Sequence, residues 1–333
     1  MESVSCNLCG AQTYELVRVV HERRYGISAT FCIVRCLHCG LLYLNPRPNE
    51  QEMPAYYPPE YQAAMRQVLQ EVRQSRIGRV GLKVMRRVRK PPLPRSPQCW
   101  GGGGVGSALD IGCSSGDYLA YLRTLGWKVY GIELDEEAAR YAQEHFGIDV
   151  RAGAAEHILN EFPDMSFDVV TMWHVLEHLF DPSSVLAEVH RVLRPGGILM
   201  LEMPNFDSLW ASVLGEYWFP LETPRHLYYF NPATLRAMLA KTGFRLIRLV
   251  GVPAPIEIIW SLRTLWDRWR RTAPLPPQDE GEGGQLIWSP TGVVLLYPIE
   301  LLLARFLRST FMQVVAEKPR KGISDQEIRA LIS

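Results

Sequence analysis

The chain has 333 residues, of which 47% are hydrophobic and 21% are charged, with 36 basic and 35 acidic side chains. This composition lies near the globular average and excludes collagen-like, coiled-coil and wholly disordered chains. The net charge of +1 argues against a globally basic protein that binds nucleic acid. The first ten residues carry neither a basic segment nor an apolar stretch, so we expect no signal peptide and a cytoplasmic location.

Two C-x2-C pairs lie near the amino terminus, and a glycine, Gly10 or Gly40, follows the second cysteine of each pair. Two such knuckles can place four thiolates tetrahedrally around a zinc ion. We therefore predict a zinc-ribbon-like module over residues 1–50 with a structural metal; iron in place of zinc, or free buried cysteines, are the alternatives. The predicted ligands are Cys6, Cys9, Cys36 and Cys39.

Residues 51–104 combine a basic helical pattern over 60–90 with a linker rich in proline and glycine. From 105 to 252 short apolar strands alternate with capped helices, which is typical of a parallel sheet. In chain order the pattern predicts strands at 108–111, 129–132, 167–172, 198–202, 245–250 and 311–316. Helices are predicted over 116–125, 135–145, 182–194 and from 232 to Gly243. The predicted domain comprises residues 105–252 and 310–320.

Residues 253–309 form a separate amphipathic insertion that is rich in tryptophan and arginine. The pattern fits a cap over the substrate, an interface in a homodimer, or peripheral contact with an anionic membrane surface. The apolar stretch 286–307 contains Pro290, Pro298, Glu300 and Arg305, which makes it a poor spanning helix.

The strongest functional signal is a glycine turn, G-x-x-x-G from Gly112 to Gly116, between the first strand and helix of the predicted sheet. Glycines let the backbone turn tightly and approach a ligand. Glu133 ends the next strand, where a carboxylate can accept both ribose hydroxyls. Because the turn lacks the G-x-G-x-x-G fingerprint of dinucleotide enzymes, the pattern favours a nucleoside site over a dinucleotide site. A turn without a ligand is the alternative.

Four motifs extend this pattern: D-I-G-C-S-S-G at 110–116, G-I-E-L-D at 131–135, F-D-V-V-T-M-W-H-V-L-E-H at 167–178 and R-V-L-R-P-G-G at 191–197. With them the chain resembles the class I S-adenosylmethionine-dependent methyltransferases. Within that class it is similar to the branch that acts on small molecules and activated sugars, including ubiquinone-type O-methyltransferases. The resemblance implies an α/β, Rossmann-like sheet that is parallel except for one late antiparallel strand, here carrying a zinc ribbon and a helical carboxyl-terminal insertion.

The resemblance also implies how the cofactor S-adenosylmethionine is held. The glycine turn would hold the methionine moiety, Glu133 the ribose, and the segment 153–156 would lie beside adenine. Many relatives have an acidic residue where Ala154 stands, so the backbone at Ala155 would serve instead. The predicted cofactor-binding residues are Asp110, Gly112, Cys113, Ser114, Gly116, Glu133, Leu134, Ala154, Ala155, Trp173 and His174.

The predicted catalytic residues are His226, Glu222 and His174. Histidine can take a proton near neutral pH, and related sugar methyltransferases carry a histidine in a run like the one around His226. A packed structural histidine is the alternative for that residue. Methyltransferases that act on amino groups of nucleic acids often have a D/N-P-P-Y/F turn after the fourth strand. This chain has Trp173 and His174 at that position, which argues against nucleic acid as the acceptor.

The acceptor that these features favour is a small molecule, such as a nucleotide-linked sugar, a glycolipid intermediate or a phenol. Two other functions stay open on the sequence. One is a membrane-associated protein that binds the cofactor without turnover, and the other is an RNA methyltransferase that uses the basic helix.

Overall fold

The structure is a computed structural model that describes residues 1–22, 29–58, 105–269 and 290–320. The predicted basic helix over 60–90, its linker and the polar loop at 274–284 lie outside the described residues. The chain divides into two compact units. Unit 1 comprises residues 1–93, 203–234 and 250–312, and unit 2 comprises 94–202, 235–249 and 313–333.

Eleven strands are present in the described ranges. They are β1 Tyr14–His21, β2 Thr30–Cys36, β3 Leu42–Leu44, β4 Ser107–Ile111, β5 Lys128–Glu133, β6 Asp149–Ala152, β7 Phe167–Trp173, β8 Leu193–Pro204, β9 Tyr228–Tyr229, β10 Arg245–Val252 and β11 Phe311–Glu317. The α-helices in the same ranges are α1 Asp117–Thr124, α2 Glu136–Phe146, α3 Ala155–Ile158, α4 Pro182–Val192, α5 Leu209–Leu214, α6 Pro232–Lys241, α7 Pro255–Trp269 and α8 Pro290–Arg305.

The large sheet has seven strands in the order β10-β11-β8-β7-β4-β5-β6. Strand β4 runs parallel to β5 and β7, β5 runs parallel to β6, and β7 runs parallel to β8. Strand β11, the last in sequence, lies between β10 and β8. The prediction of a mostly parallel, Rossmann-like sheet is confirmed. Because parallel strands share a carboxyl edge, the residues that follow β4, β5, β7 and β8 come together at one edge of the sheet.

Two helices of this sheet, α2 and α4, begin at side-chain caps that the sequence provides. The Asp135 side chain accepts hydrogen bonds from the first-turn amides of α2, and Gly147 ends that helix in the left-handed conformation. The Asp181 side chain caps α4 by accepting from the Ser184 amide at 2.9 Å. Helix α4 ends two residues before the predicted position, because the backbone is already extended at Leu193, where β8 begins.

A second, four-stranded sheet lies in unit 1 in the order β1-β2-β3-β9. Its apolar side chains, including Val20 and Ile33, form a core with α5 and with the segment after it that contains Trp218 and Leu221. Strand β9 follows β3 by a long stretch of sequence, yet the Leu44 amide donates to the carbonyl of Leu227 at 2.9 Å. The amino-terminal module therefore shares its sheet with a strand from residues 203–234.

Helices α7 and α8 belong to unit 1 and occupy the predicted insertion. In the part of the chain that the structure describes, no helix combines the length and the apolar character that crossing a bilayer requires.

Candidate functional site

The glycine turn connects β4 to α1 in unit 2. Gly112 and Gly116 have φ values of +73° and +77°, and Ser114 between them has a φ of 49°. The Gly112 amide donates to the carbonyl of Ile132 at 2.8 Å, which ties the turn to β5. A Cβ added to Gly112 would lie 2.5 Å from a methyl carbon of Val175. Both the positive φ and this close approach require glycine at position 112.

Glu133 ends β5, and backbone amides on both sides hold its carboxylate in place. Oε2 accepts from the Ser114 amide at 2.7 Å, and Oε1 accepts from the Asp135 amide at 2.9 Å. Burial raises the pKa of Glu133, and the backbone hydrogen bonds act in the opposite direction. The carboxylate is therefore fixed beside the turn, and each oxygen keeps a lone pair for a hydroxyl donor. The neighbouring Leu134 side chain is exposed.

Asp110, two residues before the turn, is a buried carboxyl group. The Thr171 hydroxyl donates to Asp110 Oδ1 at 2.6 Å. Burial raises the pKa of Asp110 to about 7, the Thr171 hydrogen bond opposes that shift, and the nearby charge of Glu133 adds to it. A cationic ligand near these two carboxyl groups would lower both pKa values and would be attracted to them. The electrostatics of this edge therefore favour a positively charged ligand.

Strand β6 leads into the segment predicted to lie beside adenine. Gly153 has a φ of +140°, Ala154 precedes α3, and Ala155 begins that helix and is buried. Glu156, which also lies in this segment, accepts a hydrogen bond from the Phe180 amide at 3.2 Å. The segment follows β6 at the carboxyl edge of the sheet, next to the Glu133 strand, since β5 and β6 pair in parallel.

His174 follows β7 and lies between two buried carboxylates. Its Nδ1 is 3.5 Å from Glu177 Oε1, and its Nε2 is 3.4 Å from Glu202 Oε1. Burial lowers the pKa of His174, but the two carboxylates outweigh it and raise the pKa to about 10. The imidazole therefore carries a proton at neutral pH. In this form His174 cannot accept another proton, which argues against the predicted role as a base.

We expect the charge of His174 to stabilise the fold in a pH-dependent way. A histidine pKa raised from 6.5 to about 10 gives a stabilisation that is complete below pH 6.5 and is lost as the pH rises to about 10. His174→Gln should lower the free energy of unfolding by about 1.5–3 kcal/mol near neutral pH, because two buried carboxylates lose a charged donor.

Urea unfolding of the wild type and of His174→Gln, near neutral pH and again near pH 10, measures this effect. The difference between the two proteins should shrink at the higher pH. His145→Gln, at an exposed position on α2, is the matched control and should behave like the wild type. An equal difference at both pH values would show that His174 is not a charged partner of the two carboxylates.

Two buried polar atoms near the turn lack a hydrogen-bond partner among the described residues. They are the hydroxyl of Tyr118, on α1, and the indole N–H of Trp173, at the end of β7. The two rings contact each other edge to face, with centroids 5.6 Å apart. Buried donors without partners are costly, so this pair suits a ligand that brings an acceptor such as a carboxylate.

His226 and Glu222 lie in unit 1. The His226 side chain is buried, and its Nδ1 donates to the carbonyl of Pro220 at 2.9 Å. That hydrogen bond places the proton on Nδ1 and makes Nε2 the basic nitrogen of the neutral ring. Nε2 lies 3.6 Å from Glu222 Oε2. The structure thus brings the predicted pair together.

Arg225, which is fully buried, fixes the position of Glu222. Its Nε donates to Glu222 Oε1 at 3.1 Å, and its Nη1 donates to the carbonyl of Tyr56 at 3.0 Å. Glu22 lies 3.8 Å from the same guanidinium group. Buried charges are tolerated when they are paired and hydrogen-bonded, and this network meets both conditions.

Sequence reasoning missed Glu202 and Tyr118. Glu202 lies near the end of β8 at the carboxyl edge of the sheet. An acidic residue at the end of a strand, as at Glu133, is a signal that could have identified Glu202 as a site residue. Its Oε2 also accepts from the Gln313 amide group at 3.2 Å. Tyr118 has no comparable signal, because an aromatic residue on the first turn of a helix normally packs in the core.

The four predicted metal ligands form one cluster in unit 1. Their sulfur atoms all lie within 4.8 Å of one another, and the Cys6–Cys39 and Cys9–Cys36 separations are both 3.4 Å. Four thiolates about 2.3 Å from a zinc ion would be separated by about 3.8 Å. The donor set and its size therefore fit a tetrahedral metal ion.

The two cysteine pairs also adopt the same backbone geometry. Gly10 and Gly40 have φ values of +78° and +76°, and each donates to the carbonyl of the first cysteine of its pair. Burial raises the pKa of Cys6 to about 11. Burial also acts to raise the pKa of Cys36, but backbone hydrogen bonds from Cys39 and His38 outweigh it and lower that pKa to about 7. Metal binding would displace the remaining protons.

Comparison with known proteins identifies the family. Residues 72–249, more than half of the chain, match the family model described as a methyltransferase domain. The chain therefore belongs to the methyltransferase-domain family, and its resemblance to the class I S-adenosylmethionine-dependent methyltransferases is confirmed. The match includes the glycine turn, Glu133 and the strands β4 to β8.

Two curated relatives are ubiquinone biosynthesis O-methyltransferases. The protein of Pseudomonas aeruginosa is 33% identical over 156 residues, which cover 43% of this chain and 66% of the relative. The protein of Chromobacterium violaceum is 32% identical over 166 residues, 46% of this chain and 71% of the relative. The chain thus spans about two thirds of the length of these relatives. A solved S-adenosylmethionine-dependent methyltransferase from Archaeoglobus fulgidus is 20% identical, with a TM-score of 0.48 over 75% of this chain and 98% of its own.

Proposed function

We propose that the protein transfers a methyl group from S-adenosylmethionine to a hydroxyl group of a small-molecule acceptor. The observation that carries this proposal is the Glu133 carboxylate, which the amides of Ser114 and Asp135 hold beside the glycine turn. An oxygen acceptor is supported by the O-methyltransferase relatives. A phenol or a sugar hydroxyl would fit this chemistry.

The residues at the sheet edge would each hold a different part of the cofactor. When bound, S-adenosylmethionine supplies an electrophilic methyl group on a positively charged sulfur. Glu133 would accept hydrogen bonds from the ribose hydroxyls, and the residues around Ala155 would lie beside adenine. Tyr118 and Trp173 offer two buried donors that suit the carboxylate of the methionine moiety. Asp110 and Glu133 together favour the cationic sulfur.

We assign the role of general base to His226. Its Nδ1–H is bound to Pro220, so Nε2 is the atom that would take the proton of the acceptor hydroxyl. Glu222 lies beside Nε2 and would stabilise the imidazolium ion that forms. His174, the other predicted histidine, already carries a proton at neutral pH and is assigned an electrostatic role.

Transfer of radioactive label from S-adenosylmethionine to panels of phenols and nucleotide-linked sugars tests the proposal. Label in an acceptor, with an alkali-stable bond to oxygen, is the expected result. Stoichiometric cofactor binding without transfer to either panel would contradict an O-methyltransferase of small molecules. The same result would favour a binding protein without turnover.

We further propose that the four-cysteine cluster binds one structural zinc ion. All four positions of a tetrahedral site would be filled by protein ligands, which is typical of structural and not of catalytic zinc. Elemental analysis of the purified protein should therefore find one zinc per chain.

Loss of a zinc ligand should destabilise unit 1. We expect Cys9→Ser to lose the metal and to unfold at a lower temperature, because the metal contributes directly to the folding free energy. Cys32→Ser, a substitution in β2 outside the cluster, should keep both the metal and the stability of the wild type. A wild-type protein without stoichiometric metal, or a Cys9→Ser variant that retains it, would contradict the proposal.

A further inference from the structure

Helix α7 has one face buried in unit 1. Ile258 and Ser261 are fully buried, and the Ser261 hydroxyl accepts from the Phe219 amide at 2.8 Å. The ring of Trp260 stacks on Phe219 with centroids 5.4 Å apart. These contacts fix which face of α7 points inward.

Helix α8 is oriented by the buried carboxylate of Glu300. This side chain accepts hydrogen bonds from the Trp210 indole at 2.8 Å and from the Ala254 amide at 2.8 Å. The helix also packs tightly against Gly251, which lies in unit 1, since a Cβ on Gly251 would lie 2.6 Å from the Cα atom of Ala304. Rotation of α8 about its axis would break these contacts, so its opposite face is held outward.

The outward faces of both helices are apolar. On α8 and in the turn that follows it, side chains 45–68% exposed recur with helical spacing, and on α7 the same holds for side chains 38–73% exposed. We call these eight residues the exposed stripes: Leu295, Ile299, Leu302 and Phe306 from α8 and its following turn, and Leu262, Leu265, Trp266 and Trp269 from α7. Apolar residues at this spacing normally face a core, and exposed ones in such number mark an interaction surface.

Exposed arginines accompany the stripes. Arg263 lies on α7, Arg305 ends α8, and Arg308 follows it, and all three side chains are exposed. Apolar side chains with tryptophan and flanking arginines are the combination that holds a helix in the plane of a lipid surface. The indole rings can sit at the level of the headgroups, and the arginines can reach lipid phosphates.

A second copy of the chain is a poorer occupant for this surface. In a symmetric dimer the same patch meets itself, so the arginines of one copy would approach those of the other. An anionic bilayer instead complements both the apolar stripes and the positive charge.

We propose that the exposed stripes bind the surface of an anionic membrane, with α7 and α8 lying on it and not crossing it. The inference concerns a surface of unit 1 and is independent of the transfer reaction. The partner is a surface of anionic lipid headgroups over an apolar layer.

Co-sedimentation of the full-length protein with vesicles tests this. The protein should sediment with vesicles that contain phosphatidylglycerol, less with vesicles of phosphatidylcholine alone, and less at high salt. Leu302→Glu should weaken partitioning by about tenfold or more, because it places a charge in an apolar contact. Val213→Glu is the matched control: Val213 is 65% exposed on α5, and the variant should partition like the wild type.

Three results would overturn the inference. They are a wild type that does not sediment with phosphatidylglycerol vesicles, a Leu302→Glu variant that sediments as well as the wild type, and a wild-type dimer that Leu302→Glu converts to monomers. Thermal unfolding and binding of S-adenosylhomocysteine should be unchanged in Leu302→Glu. If neither the wild type nor the variant binds that nucleoside, the proposed function fails and the membrane inference still stands on the vesicle data.

Discussion

Replacement of Glu133 by alanine is expected to weaken the binding of S-adenosylhomocysteine by about 10²- to 10⁴-fold. Two hydrogen bonds from ribose hydroxyls to a charged carboxylate would be lost, each contributing about 1.5–3 kcal/mol. The variant also removes the acceptor that fixes the amides of Ser114 and Asp135. Isothermal titration calorimetry of the wild type and the variant measures the effect directly.

Two further variants separate binding from folding in this experiment. Glu133→Gln keeps the size of the side chain and one carbonyl acceptor, so it should lie between the wild type and Glu133→Ala. Glu136→Ala removes an exposed carboxylate three residues later, on the first turn of α2, and should bind normally. If folded Glu133→Ala bound S-adenosylhomocysteine with wild-type affinity, Glu133 would not hold the ribose.

Replacement of His226 by alanine is expected to lower the rate of methyl transfer by about 10²- to 10⁴-fold, the usual contribution of a general base. The affinity for S-adenosylhomocysteine should stay within about threefold of the wild type, because the proposed cofactor contacts involve other residues. Single-turnover transfer to the acceptor found by screening, together with calorimetry, gives both quantities.

The buried position of His226 calls for controls on folding. His226→Gln keeps most of the side-chain volume and a hydrogen-bonding group, yet lacks a basic nitrogen, so it should be equally slow. Glu222→Gln should be slowed less and should shift the pH profile, since it removes the charge that stabilises the imidazolium ion. His145→Ala, at an exposed site, should be fully active. Full activity of His226→Gln would end the assignment of the base.

Features encoded within a few neighbouring residues could be predicted from the sequence. The turn from Gly112 to Gly116 requires glycine for a backbone reason, and the helix caps at Asp135 and Asp181 act over three residues. The cysteine pairs likewise carry their geometry in the glycine that follows each. In these cases local chemistry determines the local structure, so the pattern alone was sufficient.

Features that depend on distant parts of the chain could not be predicted. The pairing of β3 with β9 joins residues far apart in sequence, and β6, only four residues long, gave too short a pattern. The proton on His174 depends on Glu202, which reaches it from a neighbouring strand. The sequence placed a histidine at the edge of the sheet, but its charge follows from tertiary contacts.

In the insertion, too, the sequence could predict the helices but not their tertiary contacts. The spacing of apolar residues over 253–309 indicated amphipathic helices but not which face each one buries. Glu300 and Ser261 settle this, because each is a polar residue on an apolar helix that is fully buried and hydrogen-bonded. Only with those anchors fixed do Leu302 and Trp269 become recognisable as exposed.

The central claim is that the carboxyl edge formed by β4 and β5 binds the nucleoside of S-adenosylmethionine. Calorimetric titration of the purified wild-type protein with S-adenosylhomocysteine tests it most directly. We expect saturable binding of one nucleoside per chain that Glu133→Ala abolishes or strongly weakens. A folded wild-type protein that takes up neither S-adenosylhomocysteine nor S-adenosylmethionine would contradict it.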